Sequence, residues 1–117
     1  MKRRYKIATV DFDGVIKPAV ESNKYPPPDP DCFDVLRDLK NNGWKLALWT
    51  CRAGRNLTAA VNYLKKHGLL ELFDAVNANI HPMLYKTSQK IVATVYIDDR
   101  VIGGFPGWDD VRRELLS

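Results

Sequence analysis

The sequence predicts a three-layer α/β fold, in which helices cover both faces of a doubly wound and mostly parallel sheet. Three observations support this prediction. Short apolar runs alternate with segments whose apolar residues recur at helical spacing. Two of the apolar runs end in aspartate pairs, and a third ends in a threonine. Because crossover helices join parallel strands, the carboxyl ends of those strands meet at one edge of the sheet, and we expect these polar residues to converge there.

The first predicted strand begins at Ile7 and ends at Asp11 and Asp13, and Gly14 follows as the turn residue. In an extended chain Asp11 and Asp13 point the same way, and each carboxylate raises the pKa of the other. Such a pair implies a cation between the carboxylates, a shared proton or a reaction that uses them. Seen alone, however, an Asp-Phe-Asp-Gly tetrapeptide is more often an ordinary acidic turn.

A proline-rich loop, residues 17–30, comes next and is expected to be extended and stiff. The first helix has Asp29 or Asp31 as its cap, with Pro30 in its first turn, and ends at an Asn-Asn-Gly sequence. Its apolar face consists of Cys32, Val35, Leu36 and Leu39. The second strand, residues 45–49, leads to Thr50, Cys51 and Arg52.

A second helix is predicted to begin at Asn56 and to end at Gly68, and its apolar face consists of Leu57, Ala60, Val61 and Leu64. Residues 73–76 form a weaker strand, and residues 77–90 have no clear pattern. The run from Ile91 to Ile97 is the clearest strand of the sequence and is followed by Asp98, Asp99 and Arg100. A final helix is predicted around Trp108, Val111 and Leu115.

The composition is that of one globular domain spanning residues 1–117. Its hydrophobic content of 45% is ordinary, and no apolar run approaches the ~20 residues of a membrane span. With no secretory signal and two isolated cysteines, Cys32 and Cys51, we expect reduced thiols in the cytoplasm. A basic N-terminus accounts for the net charge of +4, and a solvated terminus is favoured over nucleic-acid contact; its residues are Lys2, Arg3, Arg4 and Lys6.

Three motifs carry a resemblance to a known family. They are Asp11-Phe-Asp13-Gly-Val, Thr50 in Leu-Trp-Thr-Cys-Arg, and Asp98-Asp99 in Tyr-Ile-Asp-Asp-Arg. In order and spacing they resemble the haloacid dehalogenase (HAD)-like superfamily of phosphohydrolases across essentially the whole chain. The closing Gly-Gly-Phe-Pro-Gly-Trp run resembles the small members of that superfamily. The resemblance implies a HAD-like Rossmannoid fold without a cap domain.

The resemblance also implies an activity, the Mg²⁺-dependent hydrolysis of phosphomonoesters. Asp11 is then the nucleophile that forms an aspartyl-phosphate, and Asp13 is the general acid and later the base that activates water. Mg²⁺ is held by Asp98, by the Asp11 carboxylate and by the Asp13 main-chain carbonyl, with Asp99 in support. Oxygen ligands of this kind are those that Mg²⁺ prefers.

Phosphate binding in this superfamily adds a hydrogen bond from Thr50, with Arg52 beside it, and a lysine that neutralises the phosphate. Lys90 matches the spacing before Asp98 in similar small members. Residues 91–97, if fully extended, would span about 23 Å and place Lys90 at the wrong end of the sheet. Lys86, in the preceding loop, has more freedom to reach the site. Lys86 is therefore favoured, and Lys90 stays open.

The expected partner is a phosphorylated substrate. The loop at residues 17–30 is too short to be a cap domain, and one helix and one strand fill the segment between the second and third motifs. The site is therefore expected to be open, shielded by this flap loop or by a neighbouring subunit, with Tyr25 and Arg100 as candidates for its rim. Open sites suit large substrates such as nucleic-acid ends, sugar-phosphate conjugates or phosphoproteins, and a small metabolite is an alternative.

Other functions fit the sequence less well. Cysteine phosphatases need Cys-x5-Arg, and neither Cys32 nor Cys51 has an arginine at that spacing. His67 and His81 lack partners at zinc-ligand spacing. A signalling receiver domain has its phosphoacceptor aspartate at the end of a middle strand, where this sequence has Thr50. A catalytically silent binding domain of the same fold is the main alternative to an enzyme.

Overall fold

The computed structural model describes residues 6–21, 23–80 and 90–116. Four parallel strands form one sheet: β1 (Ile7–Val10), β2 (Lys45–Leu48), β3 (Ala75–Val76) and β4 (Val95–Ile97). Their spatial order is β3-β2-β1-β4. Within the described residues the sheet is flanked by three α-helices: α1 (Pro30–Asn41), α2 (Gly54–Lys66) and α3 (Trp108–Leu116). The predicted α/β class with a parallel sheet is confirmed, and none of these helices has the length and apolar character needed to cross a membrane.

Strand β1 lies between β2 and β4 and pairs with both. Val10, the last residue of β1, is opposite Leu48 in β2 and opposite Ile97 in β4. The main chain stays paired just beyond these residues, because Trp49 N donates to Val10 O and Asp11 N donates to Ile97 O, both at 2.9 Å. The three strands therefore end level with one another, which brings the residues that follow them to one edge of the sheet.

Helix α1 has the capping and the buried face that the sequence predicts. The Asp29 carboxylate accepts a hydrogen bond from Asp31 N at 2.8 Å, and Pro30 occupies the first turn. The helix packs against α3, in which Trp108 and Val111 are buried. The four buried residues of α1 are Cys32, Val35, Leu36 and Leu39.

Helix α2 begins at Gly54, two residues before the predicted start at Asn56. Asn56 N donates to Ala53 O, so Asn56 lies inside the first turn and does not cap the helix. The buried face also differs in part from the prediction. Leu57 and Val61 are only half-buried, and the fully covered residues of α2 are Ala60, Tyr63 and Leu64.

The strand predicted from Ile91 to Ile97 was too long, because only Val95–Ile97 is a strand. Pairing with β1 begins where Thr94 N donates to Ile7 O at 2.7 Å and the Thr94 hydroxyl accepts from Ile7 N at 3.1 Å. Before that point, Val92 N donates to the side chain of Asn79. High β-propensity alone therefore does not make residues 91–94 part of the strand.

The Asp74 side chain, which directly precedes β3, makes hydrogen bonds to β2 and to helix α1. Asp74 Oδ2 accepts from Lys40 Nζ at 2.6 Å and from Leu46 N at 2.9 Å. Partial burial raises the pKa of Asp74, but the two hydrogen bonds and the positive charges of Lys40 and Lys45 together hold the pKa below its usual value. Asp74 thereby joins helix α1 to strand β2.

The flap loop contains no helix or strand in its described part, residues 17–21 and 23–29, as predicted. Lys17 is only 1% exposed, and its main-chain N donates to Phe12 O at 2.9 Å. At the other end of the loop, the Tyr63 hydroxyl donates to Pro26 O at 2.6 Å. The loop is therefore fixed both to the turn after β1 and to helix α2.

Candidate active site

Three carboxylates meet at the edge where β1 and β4 end. Asp11, Asp98 and Asp99 each have a carboxylate oxygen within 4.8 Å of the others, and all three side chains are half-buried. Asp11 follows β1 directly and the other two follow β4, which is the neighbouring parallel strand. The predicted convergence of these distant residues is therefore present, and we call this group the acidic cluster.

The Asp11 carboxyl is the most perturbed group of the acidic cluster. Burial, a hydrogen bond with Asp99 and the negative charge of Asp98 raise its pKa from 3.8 to about 8, against a smaller opposing effect of the Phe12 N–H. Ionising Asp11 at this position is therefore unfavourable without a nearby cation. Carboxylate oxygens are hard ligands, and a set of this size fits Mg²⁺ or another hard divalent cation.

Gly14 provides the space that the acidic cluster needs. Its φ is +79°, a value that L residues rarely adopt. A Cβ on Gly14 would lie 2.9 Å from Asp99 Cγ and closer still to the Asp99 carboxylate oxygen. The glycine is thus required both by the turn and by the close approach of Asp99, and the sequence indicated only the first of these reasons.

Asp13 lies beside the acidic cluster but its side chain has a different partner. Arg52 Nε donates to Asp13 Oδ2 at 2.8 Å and Arg52 Nη2 donates to Oδ1 at 2.9 Å. These hydrogen bonds hold the pKa of Asp13 below its usual value despite partial burial, and the charge of Lys17 acts in the same direction. Since β1 ends at Val10, the alternation expected of an extended chain does not continue through Asp13.

Arg52 makes further contacts besides the ion pair. Its Nη1 donates to the Tyr25 hydroxyl at 3.0 Å and to Asn56 O at 3.1 Å. Its guanidinium also lies 4.9 Å from the centre of the Phe12 ring. Arg52 was predicted to bind phosphate beside Thr50, whereas in this structure it links Asp13, the flap loop and helix α2.

Thr50 follows β2, as predicted, and is buried. Its main-chain N donates to Asn77 Oδ1 at 2.8 Å, and its hydroxyl oxygen accepts from Arg52 N at 3.2 Å. Asn77 has a φ of +51°, a conformation that asparagine tolerates better than most residues. Residues 77–90 show no clear sequence pattern, so the support that Asn77 provides to Thr50 was missed.

The two candidate lysines have different outcomes. Lys86 lies outside the described residues. The Lys90 ammonium lies 4.9 Å from the centre of the Tyr96 ring. The argument against Lys90 assumed a fully extended run over residues 91–97, and that assumption is wrong because only Val95–Ile97 is a strand.

Arg100, which was predicted to lie at the rim of the site, is exposed, and its main-chain N donates to Asp98 Oδ1 at 2.9 Å.

A cleft of about 450 Å³ opens beside Asp13. Its wall includes Tyr25, which was predicted to lie at the rim. Lys17 is buried next to this wall, with its ammonium 5.5 Å from the centre of the Tyr25 ring. The residues that line the cleft are Asp13, Asn23, Tyr25, Arg52 and Asn56.

Comparison with known proteins finds a similar solved structure. No family model matches the chain, and no curated protein matches it significantly. Among solved structures, the chain is similar to a conserved protein coded by a locus of Bacteroides thetaiotaomicron, with 30% sequence identity and a TM-score of 0.77. The match covers 92% of this chain and 87% of that protein, whose description states no activity. The chain therefore belongs to the same family as this conserved Bacteroides thetaiotaomicron protein.

Proposed function

We propose that the protein is a Mg²⁺-dependent phosphomonoesterase of the HAD-like type, acting through an aspartyl-phosphate on Asp11. The observation that supports the proposal most is the acidic cluster, in which Asp11, Asp98 and Asp99 meet beyond the ends of two adjacent parallel strands. Ligands of open α/β sheets bind at this edge. The three-layer, doubly wound and capless arrangement of HAD-like hydrolases and a cytoplasmic location are part of the proposal.

In this proposal the acidic cluster holds the metal, together with the main-chain carbonyl of Asp13. A divalent cation there would supply positive charge to the phosphoryl oxygens. Asp11 attacks phosphorus, so that an oxygen–phosphorus bond forms as the bond to the leaving oxygen breaks. Thr50 donates its hydroxyl hydrogen to a phosphoryl oxygen. Water then hydrolyses the aspartyl-phosphate and releases phosphate.

Asp13 handles the protons of both steps. It gives a proton to the leaving oxygen in the first step and takes one from water in the second. The ion pair with Arg52 lowers the pKa of Asp13, which favours the carboxylate that the second step needs and works against the acid form that the first step needs. An aryl leaving group needs little protonation, so we expect Asp13→Asn to slow the hydrolysis of alkyl phosphates more than that of aryl phosphates.

The first experiment measures the hydrolysis of p-nitrophenyl phosphate with Mg²⁺ and with EDTA. We expect turnover with Mg²⁺ that EDTA abolishes, and a loss of about 100-fold or more in kcat for Asp11→Asn. Asp109→Asn, which changes an exposed aspartate on α3, is the matched control and keeps full activity. Activity that survives chelation or the Asp11 substitution contradicts the proposal, and a single slow phosphorylation without turnover supports a receiver domain.

The phosphate-binding lysine is identified by a pair of substitutions, Lys86→Met and Lys90→Met. Loss of the lysine that neutralises the transition state should lower kcat by about 100-fold or more. The other lysine should tolerate the change with an effect of less than about threefold, which is the size expected of a solvated side chain. Equally small effects of both substitutions would show that neither Lys86 nor Lys90 neutralises the phosphate.

A further inference from the structure

The cleft beside Asp13 has a composition that indicates what it binds. We propose that it holds the leaving group of the substrate, and that this group is uncharged, polyhydroxylated and about the size of a monosaccharide. The substrate is then a sugar or polyol monophosphate. The inference rests on the proposed function, because Asp13 is the residue that meets the leaving oxygen and Asp13 also lines the cleft.

The charge of the lining argues against a charged leaving group. Asp13 and Arg52 form an ion pair and neutralise each other. The other lining residues, Asn23, Tyr25 and Asn56, are neutral. A second phosphate, a carboxylate or an ammonium group would therefore find no unpaired opposite charge among the lining residues.

The hydrogen-bonding groups of the lining match hydroxyl groups. Within the described residues, the side-chain amides of Asn23 and Asn56 make no hydrogen bond. Each amide offers two N–H donors and one carbonyl acceptor, whereas a sugar hydroxyl both donates and accepts. The Tyr25 hydroxyl oxygen accepts from Arg52, which leaves the Tyr25 O–H free to donate. The volume of about 450 Å³ is that of a small-molecule site.

A nucleoside is the main competing occupant, because Tyr25 offers an aromatic ring. The cations of Lys17 and Arg52 each lie 5.5 Å from the centre of that ring. The Tyr63 ring is also close, at a centre-to-centre distance of 6.1 Å. These groups occupy part of the ring surface of Tyr25, which is 43% exposed, and leave less of it for stacking on a base. The lining therefore favours a sugar over a nucleobase.

The test compares kcat/KM for a hexose monophosphate, a nucleoside monophosphate and p-nitrophenyl phosphate. We expect the hexose ester to exceed the nucleoside ester by about tenfold or more. In Asn56→Ala and Asn23→Ala, we expect KM for the hexose ester to rise by about tenfold more than KM for the aryl ester, because the aryl group makes no hydroxyl contacts. Asn56→Ala keeps the main-chain carbonyl that binds Arg52.

The control is Asn62→Ala, which changes an exposed asparagine of the same helix that does not line the cleft. It should leave the ratio of hexose to aryl hydrolysis unchanged. Thermal melting of every variant separates a lost contact from a lost fold. Absence of turnover on all esters overturns the phosphatase proposal and the inference together. Aryl hydrolysis with equal losses on both esters, or a preference for the nucleoside ester, overturns the inference alone.

Discussion

Arg52 binds Asp13 through two parallel hydrogen bonds, from Nε to Oδ2 at 2.8 Å and from Nη2 to Oδ1 at 2.9 Å. The Arg52 side chain is only 10% exposed, whereas that of Asp13 is 49% exposed. Paired geometry of this kind is stronger and more directional than a single contact. The ion pair therefore connects the turn after β1 with the segment that leads into α2.

Replacing Arg52 tests this connection. We expect Arg52→Gln to lower the free energy of unfolding at pH 7 by about 1–3 kcal/mol, because the substitution removes several hydrogen bonds of a covered guanidinium. The pKa of Asp13 is depressed in the folded state, so its contribution is present above the unfolded pKa and is lost as the pH falls below about 4. Urea unfolding at pH 7 and pH 3 should show the difference from wild type shrinking at the lower pH.

The control for Arg52 is Arg37→Gln. Arg37 pairs with Asp34 and Asp38 on the exposed surface of α1, where its side chain is 45% exposed. Surface ion pairs contribute about 0–1 kcal/mol. An Arg37 effect as large as that of Arg52 would show that the pair with Asp13 has no special role.

The substitution Gly14→Ala tests whether Asp99 needs the space left by the missing Cβ of Gly14. A methyl group there meets Asp99 in addition to the strain of a positive φ. Gly43 has a similar φ of +87° and nothing within 4 Å of the position of a Cβ, so Gly43→Ala carries the backbone strain alone. Gly43→Ala should lose about 1–2 kcal/mol of stability, and Gly14→Ala should lose more because of the added contact with Asp99. Only Gly14→Ala should also lose the Mg²⁺-dependent rise in melting temperature and the proposed phosphatase activity.

Much of this site was predictable from the sequence. Asp11, Asp98 and Thr50 each follow a short apolar run, and parallel strands place such residues at one edge. The partner of Asp13 was not predictable in the same way. The direction of the Asp13 side chain depends on where β1 ends, and Arg52 reaches it from a loop whose path is set by tertiary contacts.

The pH dependence of stability tests the state of Asp11. Its folded pKa of about 8 means that the folded protein keeps a proton that the unfolded chain releases near 3.8. Without a divalent cation, stability is therefore expected to fall as the pH rises from about 4 to 8. Asp11→Asn removes this dependence. The free energies of unfolding of the variant and of wild type are measured with EDTA at pH 5 and at pH 8. The advantage of the variant should be larger at pH 8 by about 1–2 kcal/mol, and this figure is modest because the Asp11 carboxyl is only half-buried.

Adding Mg²⁺ should reverse the order of stability. A ligand that binds only the folded state adds about 2.7 kcal/mol at 100 times its Kd. Wild type should gain this stabilisation, and Asp11→Asn and Asp98→Asn should lose most of it. A Mg²⁺ shift that is equal in all three proteins would mean that the cation binds somewhere other than the acidic cluster.

Asp74 provides a test of the fold that is independent of the site. Asp74→Asn weakens the hydrogen bond from Lys40 and should lower the free energy of unfolding at pH 7 by about 1–2 kcal/mol. The depressed pKa of Asp74 means that this contribution disappears as the pH falls below about 4. Asp34→Asn, in an exposed pair with Arg37 at 3.5 Å, is the control and should change stability by less than about 0.5 kcal/mol.

The fold was predictable to the level of its class and most of its helix faces, because apolar spacing reports burial directly. Two kinds of feature were not predictable. The strand β4 pairs with β1 only over Val95–Ile97, and this length depends on tertiary contacts and not on β-propensity. The other feature is the binding of main-chain N–H groups by distant side chains. The Asn77 side chain binds Thr50 N and the Asp74 side chain binds Leu46 N, and both N–H groups lie on or next to a strand that is far away in the sequence.

The pairing of β1 with β4 joins two segments that are far apart in the sequence. Ile7 and Thr94 bond to each other although 87 positions separate them. Closing so large a loop is slow and entropically costly, so this strand pair is expected to dock late in folding. A polypeptide that is still being synthesised can form β1, α1 and β2, yet it has no acidic cluster until Asp98 and Asp99 have joined it. Any chemistry at Asp11 that needs the acidic cluster, such as the proposed hydrolysis, would thereby be restricted to molecules in which β4 has docked.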